Sequence, residues 1–486
     1  MTHVVNRLQF EVVCPDEELS LNLRQNFAQT VQQEIARIID EVCSESVGED
    51  ESIKIDRIEL DMGSFSRHSF GTDFRIVFRQ KLRAELAKQL AAIPPQSRQI
   101  SRLLSATEML LYFLSNGTLP WFADEGAVNL DEIFSNVALN HAEVLKSFFL
   151  HVKSNENVWK RLAWQFNASS KAEAINLSDD LKKAQEVFLN WVTQIVNKLT
   201  AAGSPTVDFT GADLLKEFGN INDIIIKNAP SIFAYTGSVN ALQQVFQAHI
   251  QEVFKANQAL ADAATAELTS ITGINQPEIK TPANITGVNQ PETEIAADAK
   301  QPAQNDQPIQ LPSMGSEADE VQKYSVKYGG IVLLAPFLKP FFTGLNLLDG
   351  NEWKNMESTF RAVHLLKFLA TGHKKTPEYS LVFEKILCGL PAETPLPLDI
   401  VLTDEEIAES ESLLKAVITH WKVLKNTSID GLRESFFKRD GLLNRKENGW
   451  LLQVERKTLD VLLDSIPWGF STISLVWTRD LIFVEW

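Results

Sequence analysis

Three acidic residues near the amino-terminal end are the closest the sequence comes to a catalytic pair. Asp56, Glu59 and Asp61 lie within one short segment. Two carboxylates act as general acid and base when they converge on a cleft. The segment is predicted to be a strand, on which Glu59 and Asp61 point to the same solvated face. We therefore interpret these carboxylates as surface residues rather than as a catalytic pair.

Histidine and cysteine patterns offer no metal site. The eight histidines lack metal-ligand spacing, and His364 is interpreted as a packing residue. Cys14, Cys43 and Cys388 are far apart and form no C-x-x-C pair, so neither a disulfide framework nor a zinc site is predicted. The common phosphate-binding, dinucleotide-binding, zinc-protease and nucleophile-elbow patterns are missing from the sequence as well. We predict a protein that binds no cofactor or metal and is not an enzyme.

Tryptophan beside proline, near the ends of predicted elements, is the remaining pattern with functional potential. Such aromatic residues close hydrophobic cores, and they are also enriched among the residues that dominate protein interfaces. Both interpretations stay open here. The candidate interaction residues are Leu119, Pro120, Trp121, Phe122, Pro467, Trp468, Trp477 and Trp486.

The helix that precedes the first of these prolines is predicted to begin at Ser105. Ser105 and Glu108 have the S-x-x-E spacing of a capping box, and Gly117 occupies the left-handed position that ends many helices. The motif Leu-Leu-x-Phe-Leu-x-x-Gly at 110–117 returns at 365–372, and a proline follows each copy. Either any capped amphipathic helix produces this likeness, or the chain contains a recurring helical module.

Apolar periodicity predicts two different domains in the first half of the chain. Residues 1–92 combine alternating segments at 8–12 and 53–62 with two long apolar stripes, which predicts a small β-α-β-α domain. A Pro-Pro pair then marks a boundary. Residues 98–255 show only helical periodicity, and we predict a helical domain there.

The second half begins with a change of composition. Residues 256–322 contain no aromatic residue and are rich in proline and acidic residues, so we predict a disordered linker. A 14-residue duplication within it starts at Ile271 and again at Ile285. Residues 323–486 are predicted to form an α-rich domain closed by a short antiparallel strand pair. The expected fold class is therefore mainly α with small α+β parts.

Composition and charge limit the possible partners. The chain has 486 residues, a net charge of −17 and 44% hydrophobic residues, as expected of a soluble globular protein with several cores. The acidic balance disfavours binding to nucleic acid or an anionic membrane. The amino terminus lacks the layout of a signal peptide, and the longest apolar run, at 329–337, is too short to span a bilayer. We expect the protein in the cytoplasm.

Eight short motifs occur at both ends of the chain and are missing from 256–322. They lie at 55–63, 114–121, 329–337, 365–372, 387–391, 449–455, 466–468 and 483–486. Together these motifs resemble the contractile injection system tape measure family, whose members belong to phage-tail-like particles. One departure is Leu475-Val476-Trp477, where the family tends to have Leu-Pro-Trp, and this leaves the turn geometry there open.

The resemblance implies a non-enzymatic assembly protein that sets or terminates the length of the tail tube. Its expected partners are tail tube, cap or baseplate proteins of the particle, with assembly in the cytoplasm and a place in the finished particle left open. One continuous helix of 486 residues would span roughly 730 Å, but this chain is interrupted too often to form one. We expect folded ends joined by a tether of adjustable length.

Two other functions remain as alternatives. One is a cap or baseplate adaptor, or an assembly chaperone, that does not measure length. The other is an enzyme without a recognisable signature, such as a cell-wall hydrolase, which would require a polar cleft with converging titratable side chains. The sequence does not define the oligomeric state.

Overall fold

The structure is a computed structural model of the 486-residue chain. It describes residues 5, 8–13, 34–46, 53, 55, 57–65, 70–92, 95–120, 123, 125–126, 128–201, 210–234, 239–273 and 323–486. The chain divides into two compact units. The first comprises Met1–Leu145, Lys160–Ser170 and Met314–Trp486, and the second comprises Lys146–Trp159 and Lys171–Ser313.

Helices make up most of the described residues before 274. They are α1 (34–46), α2 (Phe70–Ala91), α3 (Pro95–Asn116), α4 (Leu130–Asn140), α5 (Ala142–His151), α6 (Glu156–Gln165), α7 (Ala168–Asn176), α8 (Asp179–Ala201), α9 (Gly211–Phe218), α10 (Ile221–Lys227), α11 (Ala229–Ala234), α12 (Val239–Val253) and α13 (Gln258–Thr272).

The residues after 322 combine helices with strands. The helices are α14 (Ala335–Gly344), α15 (Met356–Thr371), α16 (Val382–Leu387), α17 (Asp404–His420) and α18 (Ile429–Leu432). The strands are β1 (Lys323–Val326), β2 (Leu348–Asp349), β3 (Glu352–Trp353), β4 (Gly441–Lys446), β5 (Gly449–Val454), β6 (Thr472–Ile473) and β7 (Leu481–Glu485). Short 3₁₀ helices occupy Gly329–Leu334, Glu378–Ser380, Lys422–Leu424 and Thr458–Ser465.

Helices α1 and α2 share a small apolar core near the amino terminus. Ile58, Leu60 and Met62 pack against that core, and the residues between them are exposed. The predicted alternation of burial is therefore present. The described residues at 8–13 and 57–65 nevertheless form no strand, so the prediction of a β-α-β-α unit is wrong for them. Alternating apolar residues indicate only that one side of a segment is buried. Here that side packs against the core of α1 and α2 rather than against a strand-containing sheet.

Helix α3 begins ten residues earlier than its sequence indicated. It starts at Pro95, a residue suited to the first helical turn, so the predicted start at Ser105 is wrong. The predicted end is confirmed, because Gly117 has a φ of +73° and its N–H donates to the Phe113 carbonyl over 2.8 Å. Thr118 and Pro120, which follow the helix, are buried.

The second unit is built from helices around aromatic side chains. Phe188, Trp191 and Phe246 pack together with ring centroids 4.9 to 5.6 Å apart. Helix α13 adds the buried stripe Leu260, Ala261, Ala264 and Leu268. This helix lies within the range predicted to be disordered, so that prediction is wrong for 258–272. Small aliphatic residues form this stripe, and the lack of aromatic residues did not prevent packing. The remaining linker residues, 274–322, lie outside the described part of the chain.

The carboxy-terminal region contains a mixed five-stranded sheet in the order β1-β4-β5-β7-β6. Strands β6 and β7 form the predicted antiparallel pair, with Ile473 opposite Ile482. Strand β7 also pairs in parallel with β5, and β1 and β4 extend the sheet beyond the prediction. Leu443 and Leu452 of the sheet are fully buried and belong to the same apolar core as residues of α14 to α17.

Helix α15 runs through the centre of this core. Its residues 362–370 are buried without a break, as expected of a helix surrounded by other elements. Helix α17 begins with the capping box formed by Thr403 and Glu406. The prediction of a mainly α fold with small β parts is confirmed. Among the described residues, no helix is both long and apolar enough to cross a membrane.

Candidate functional site

The end of α3 lies against a cluster of buried charges within the first unit. Gly117 is buried, and a Cβ atom placed on it would lie 2.2 Å from Oε1 of Glu378 and 2.6 Å from Nη2 of Arg161. Both distances are shorter than van der Waals contact. Glycine is therefore required here for two reasons: its φ is positive, and there is no space for a side chain.

Arg161 is the donor at the centre of the cluster. Its side chain has no solvent exposure, and its Nη1 donates to the carbonyl of Leu114 over 2.5 Å. The Leu114 carbonyl belongs to the last turn of α3, where carbonyl groups lack partners within the helix. Nη2 donates to the Glu393 carbonyl over 2.6 Å, and Nε donates to Oε1 of Glu378 over 3.0 Å. All three nitrogens of the guanidinium are therefore used.

Glu378 is the acceptor and is equally buried. It is held in a 3₁₀ turn, where its backbone N–H donates to Oε1 of Gln165 over 3.0 Å. The Gln165 amide in turn donates to the Leu396 carbonyl over 2.6 Å. These bonds fix the carboxylate beside the guanidinium, so α6 and the segment 378–396 are joined by several directed contacts.

Lys385 completes the cluster. Its Nζ lies 2.9 Å from Oε1 of Glu378 and donates to the Ala392 carbonyl over 2.8 Å. Burial lowers the pKa of the Lys385 ammonium, whereas the Glu378 carboxylate acts in the opposite direction. Two cations therefore share one carboxylate in a site without solvent. Removing one member of such a group leaves an uncompensated buried charge, which destabilises a fold far more than the loss of a surface ion pair.

The arrangement of these side chains suits a structural role. Charged groups that are directed at backbone carbonyls and at one another hold chain segments in register. A reaction would require a reactive group that faces a substrate. The contacts of Arg161, Glu378 and Lys385 instead join the end of α3, the end of α6 and the segment 378–396.

A small cleft lies beside residues 379–384, which follow Glu378 in the chain. It is lined by Glu125, Lys327, Lys367, Tyr379 and Glu384, among other residues, and its volume is about 20 Å³. That volume accommodates roughly one water molecule. Burial raises the pKa of Glu125, while Lys327 and Lys367 act against the rise. The cleft is far smaller than the several hundred Å³ that small-molecule sites occupy.

The structure places the residues of the first candidate patch beside this cluster. Pro120 is buried and Leu119 is half-buried, just after Gly117. Trp121 and Phe122 lie outside the described residues. Whether this patch also contacts a partner stays a prediction.

The second candidate patch is dispersed over the carboxy-terminal core. Pro467 is exposed, whereas the indoles of Trp468, Trp477 and Trp486 are half-buried and pack against that core. Each indole N–H donates to an acceptor of the same unit: the Leu333 carbonyl, the Leu387 carbonyl and the Asp460 carboxylate, at 2.9 to 3.1 Å. These contacts account for a structural role, and the interaction role stays a prediction.

The residues at the centre of the cluster were missed by sequence reasoning. Arg161 lies between Val158 and Leu162, which are both buried, so a cation occupies the apolar face of α6. Glu378 and Lys385, together with Glu384, likewise interrupt a segment rich in apolar residues. The sequence did contain one signal: a positive charge lies on one apolar face and a negative charge in another apolar segment. Such charges are seldom buried without a partner, so the two could have been expected to pair.

The described residues contain no group of three or more His, Cys, Asp or Glu side chains that could hold a metal ion. The fold is mainly helical, and buried charges hold segments together that are distant in sequence. The sequence model of the contractile injection system tape measure protein family matches residues 2–486, and the chain belongs to that family. Its role is that of a structural component in the assembly of such a system. Neither the curated proteins nor the solved structures include a match to this chain.

Proposed function

We propose that this protein sets or terminates the length of the tail tube of a contractile injection system without catalysing a reaction. The observation that carries the proposal is the family match over residues 2–486. The expected partners are the tube, cap or baseplate proteins of the particle, and assembly is expected to take place in the cytoplasm. The buried cluster supports a structural mode of action, because its charged groups are committed to holding the fold.

The cluster also bears on how length would be controlled. Arg161 and Glu378 are 217 residues apart in sequence and directly bonded. While that bond holds, residues added between 274 and 322 enlarge the connection without separating Arg161 from Glu378. A stretched ruler would therefore require the cluster to open. The closed cluster favours a protein that terminates the tube as a folded body.

Inserting further copies of the 14-residue duplication tests this mechanism. Electron microscopy of particles made with one, two and four extra copies would give the distribution of tube lengths. Termination by a folded body predicts the same lengths for all insertions, together with altered lengths when the whole chain is deleted. Lengths that rise in proportion to the inserted residues would instead establish the ruler mechanism and overturn the folded-body one.

A strain that lacks this protein distinguishes length control from the adaptor or chaperone alternative. A protein that caps or escorts the tube without measuring it is required for assembly, yet the particles that do form in its absence have normal tube lengths. Normal lengths in the few particles formed by a deletion strain would contradict length control. A broad or shifted length distribution would support it.

A further inference from the structure

The ends of α3 and α15 are alike in backbone geometry. Each helix ends in the shared motif, and each motif ends in a glycine in the left-handed conformation, with φ of +73° at Gly117 and +76° at Gly372. The N–H of each glycine donates to the carbonyl of the motif phenylalanine, over 2.8 Å at Phe113 and 2.7 Å at Phe368. The sequence repeat is therefore also a structural repeat.

An arginine from a later segment covers each helix end. Arg161 donates to the Leu114 carbonyl, and Arg433 donates to the carbonyl of Leu369, the equivalent position in α15, over 3.0 Å. The two guanidinium carbons lie 5.9 and 5.6 Å from the ring centroids of the motif phenylalanines. A Cβ atom on Gly372 would lie 2.9 Å from Nη1 of Arg433. The same three positions of the motif contact arginine in both copies.

The two ends differ in what lies on top of the arginine. At α3 the turn that carries Glu378 and Tyr379 closes over Arg161, and the Tyr379 ring meets the Phe113 ring edge-on at 6.0 Å. At α15 the carboxylate beside Arg433 is Asp430, whose side chain is 86% exposed. One copy of the motif is thus covered by a buried acidic turn. At the other, the Arg433 side chain is 13% exposed, and its ion-pair partner in the described part of the chain is the exposed Asp430.

The segment after α15 is basic. His373, Lys374 and Lys375 follow Gly372 directly and are all exposed, although the chain has a net charge of −17. Lys375 lies 3.3 Å from the Asp399 carboxylate, which is itself 84% exposed. Lys374 has no ion-pair partner in the described part of the chain. Exposed ion pairs of this kind contribute little to stability. Another carboxylate can therefore replace Asp399 beside Lys375 at little cost.

We propose that the basic end of α15 binds an acidic turn of another protein of the particle. The bound carboxylate would lie beside Arg433 and the exposed lysines, as the Glu378 turn lies on α3. A partner protein is favoured over a second copy of this chain, because the chain's own matching turn is buried on α3. The proposal rests on the proposed role in assembly and adds the chemistry of one contact.

Zero-length carbodiimide cross-linking tests the contact, because it joins lysine amines to carboxylates that touch them. The sample is the tagged full-length chain, isolated with particle components from cells that produce the particle. Mass spectrometry is expected to find Lys374 or Lys375 joined to an aspartate or glutamate of a different particle protein. The internal link from Lys375 to Asp399 is the positive control. Only internal links, links to a second copy of this chain, or recovery of the chain alone would overturn the proposal.

Charge reversal provides the second arm. The variant Lys374→Glu/Lys375→Glu should keep the wild-type melting temperature, since both side chains are exposed, and should lower the amount of chain recovered with particle components at least tenfold. The control for the change in charge is Lys182→Glu/Lys183→Glu, an adjacent lysine pair on α8 of which Lys183 is exposed and Lys182 is half-buried. If both double variants are recovered with particle components in the same amount as the wild-type chain, the proposed contact is wrong.

These experiments test the proposed contact and the proposed length control independently of each other. Altered tube lengths in the deletion strain, together with normal recovery of Lys374→Glu/Lys375→Glu, would disprove this contact and leave length control intact. Normal tube lengths in the deletion strain, together with a lysine cross-link to a particle protein, would support the contact while disproving length control.

Discussion

Arg161 and Glu378 form an ion pair from which solvent is excluded on both sides, although 217 residues separate them in the sequence. Closing so long a connection costs little more than closing a short one, because the entropy of closure grows only with the logarithm of length. Desolvating the two charges is the larger cost. Their value to the fold lies in the directed contacts that join α3, α6 and the segment 378–396.

Replacing Glu378 with glutamine should destabilise the first unit by about 3 to 5 kcal/mol, because Arg161 and Lys385 would lose the carboxylate that both of them contact. The matched change Glu434→Gln removes the carboxylate from an exposed pair with Lys438 and should have little effect on stability. Urea denaturation followed by tryptophan fluorescence measures both. Similar costs for the two variants would contradict the role assigned to the buried cluster.

Three glycine-to-alanine variants should rank in the order of the space available to a Cβ atom. Gly117, Gly372 and Gly273 all end helices with φ near +70°. Each substitution incurs the cost of the left-handed conformation, about 1 kcal/mol.

The steric cost then separates the three variants. At Gly273 no atom of the described residues lies within 4 Å of the Cβ position, so about 1 kcal/mol is the expected effect. At Gly372 the flexible end of Arg433 can shift. At Gly117 the clash involves both Arg161 and Glu378, and the loss should exceed about 3 kcal/mol. Denaturant midpoints provide the order, and a Gly273→Ala loss as large as that of Gly117→Ala would refute the explanation.

His364 should make stability depend on pH. Its side chain is 3% exposed, and burial lowers the pKa of the imidazole from 6.5 to about 4, opposed by the hydrogen bond to the Pro397 carbonyl. Between these two values the unfolded chain binds a proton that the folded chain does not. The free energy of unfolding therefore falls as pH drops from 6.5 to about 4, by about 3 kcal/mol in total, and this contribution is constant below that range.

The variant His364→Gln provides the comparison, because an amide can still donate to the Pro397 carbonyl and does not titrate. Denaturation between pH 7.5 and 4 should show a shallower loss of stability in the variant than in wild-type. Parallel curves would show that His364 is not buried in its neutral form.

Two cysteines should differ in reactivity. Burial raises the pKa of the Cys388 thiol well above its ordinary value, and Glu384 acts in the same direction. Burial and Asp40 also raise the pKa of Cys43, which is only half-buried. Because the thiolate is the reactive species, iodoacetamide at pH 8 should label Cys43 in the folded protein and Cys388 only after denaturation. Peptide mass spectrometry measures both rates, and equal labelling of the folded protein would contradict the burial of Cys388.

Local signals in the sequence were sufficient for several helix ends. The left-handed glycines Gly117 and Gly372 end their helices as the motif indicated. Thr403 and Glu406, which also have capping-box spacing, form such a box at the start of α17. These features depend on hydrogen bonds within a few residues, so a short stretch of sequence contains all the information. Ser105 shows the limit, since a valid capping pattern can occur inside a longer helix that starts elsewhere.

Long-range features were beyond such reasoning. Alternation at 58–62 identified the half-buried side chains, but not that they pack against the core of α1 and α2 rather than against another strand. The parallel pairing of β5 with β7 depends on a crossover that no local pattern specifies. The partner of Arg161 lies 217 residues away. A buried charge on an apolar helix face indicates that a partner exists, without indicating where it lies.

The order of synthesis gives the buried cluster a further consequence. Arg161 leaves the ribosome 217 residues before Glu378, which at bacterial-scale rates of about 5 to 20 residues per second is a delay of roughly 10 to 40 s. During that interval the guanidinium and the end of α3 lack the segment that later covers them. Completion of the first unit is therefore timed by synthesis of the carboxy-terminal third, and a chain truncated before Glu378 would present an uncovered basic helix end to whatever acidic surface is nearby.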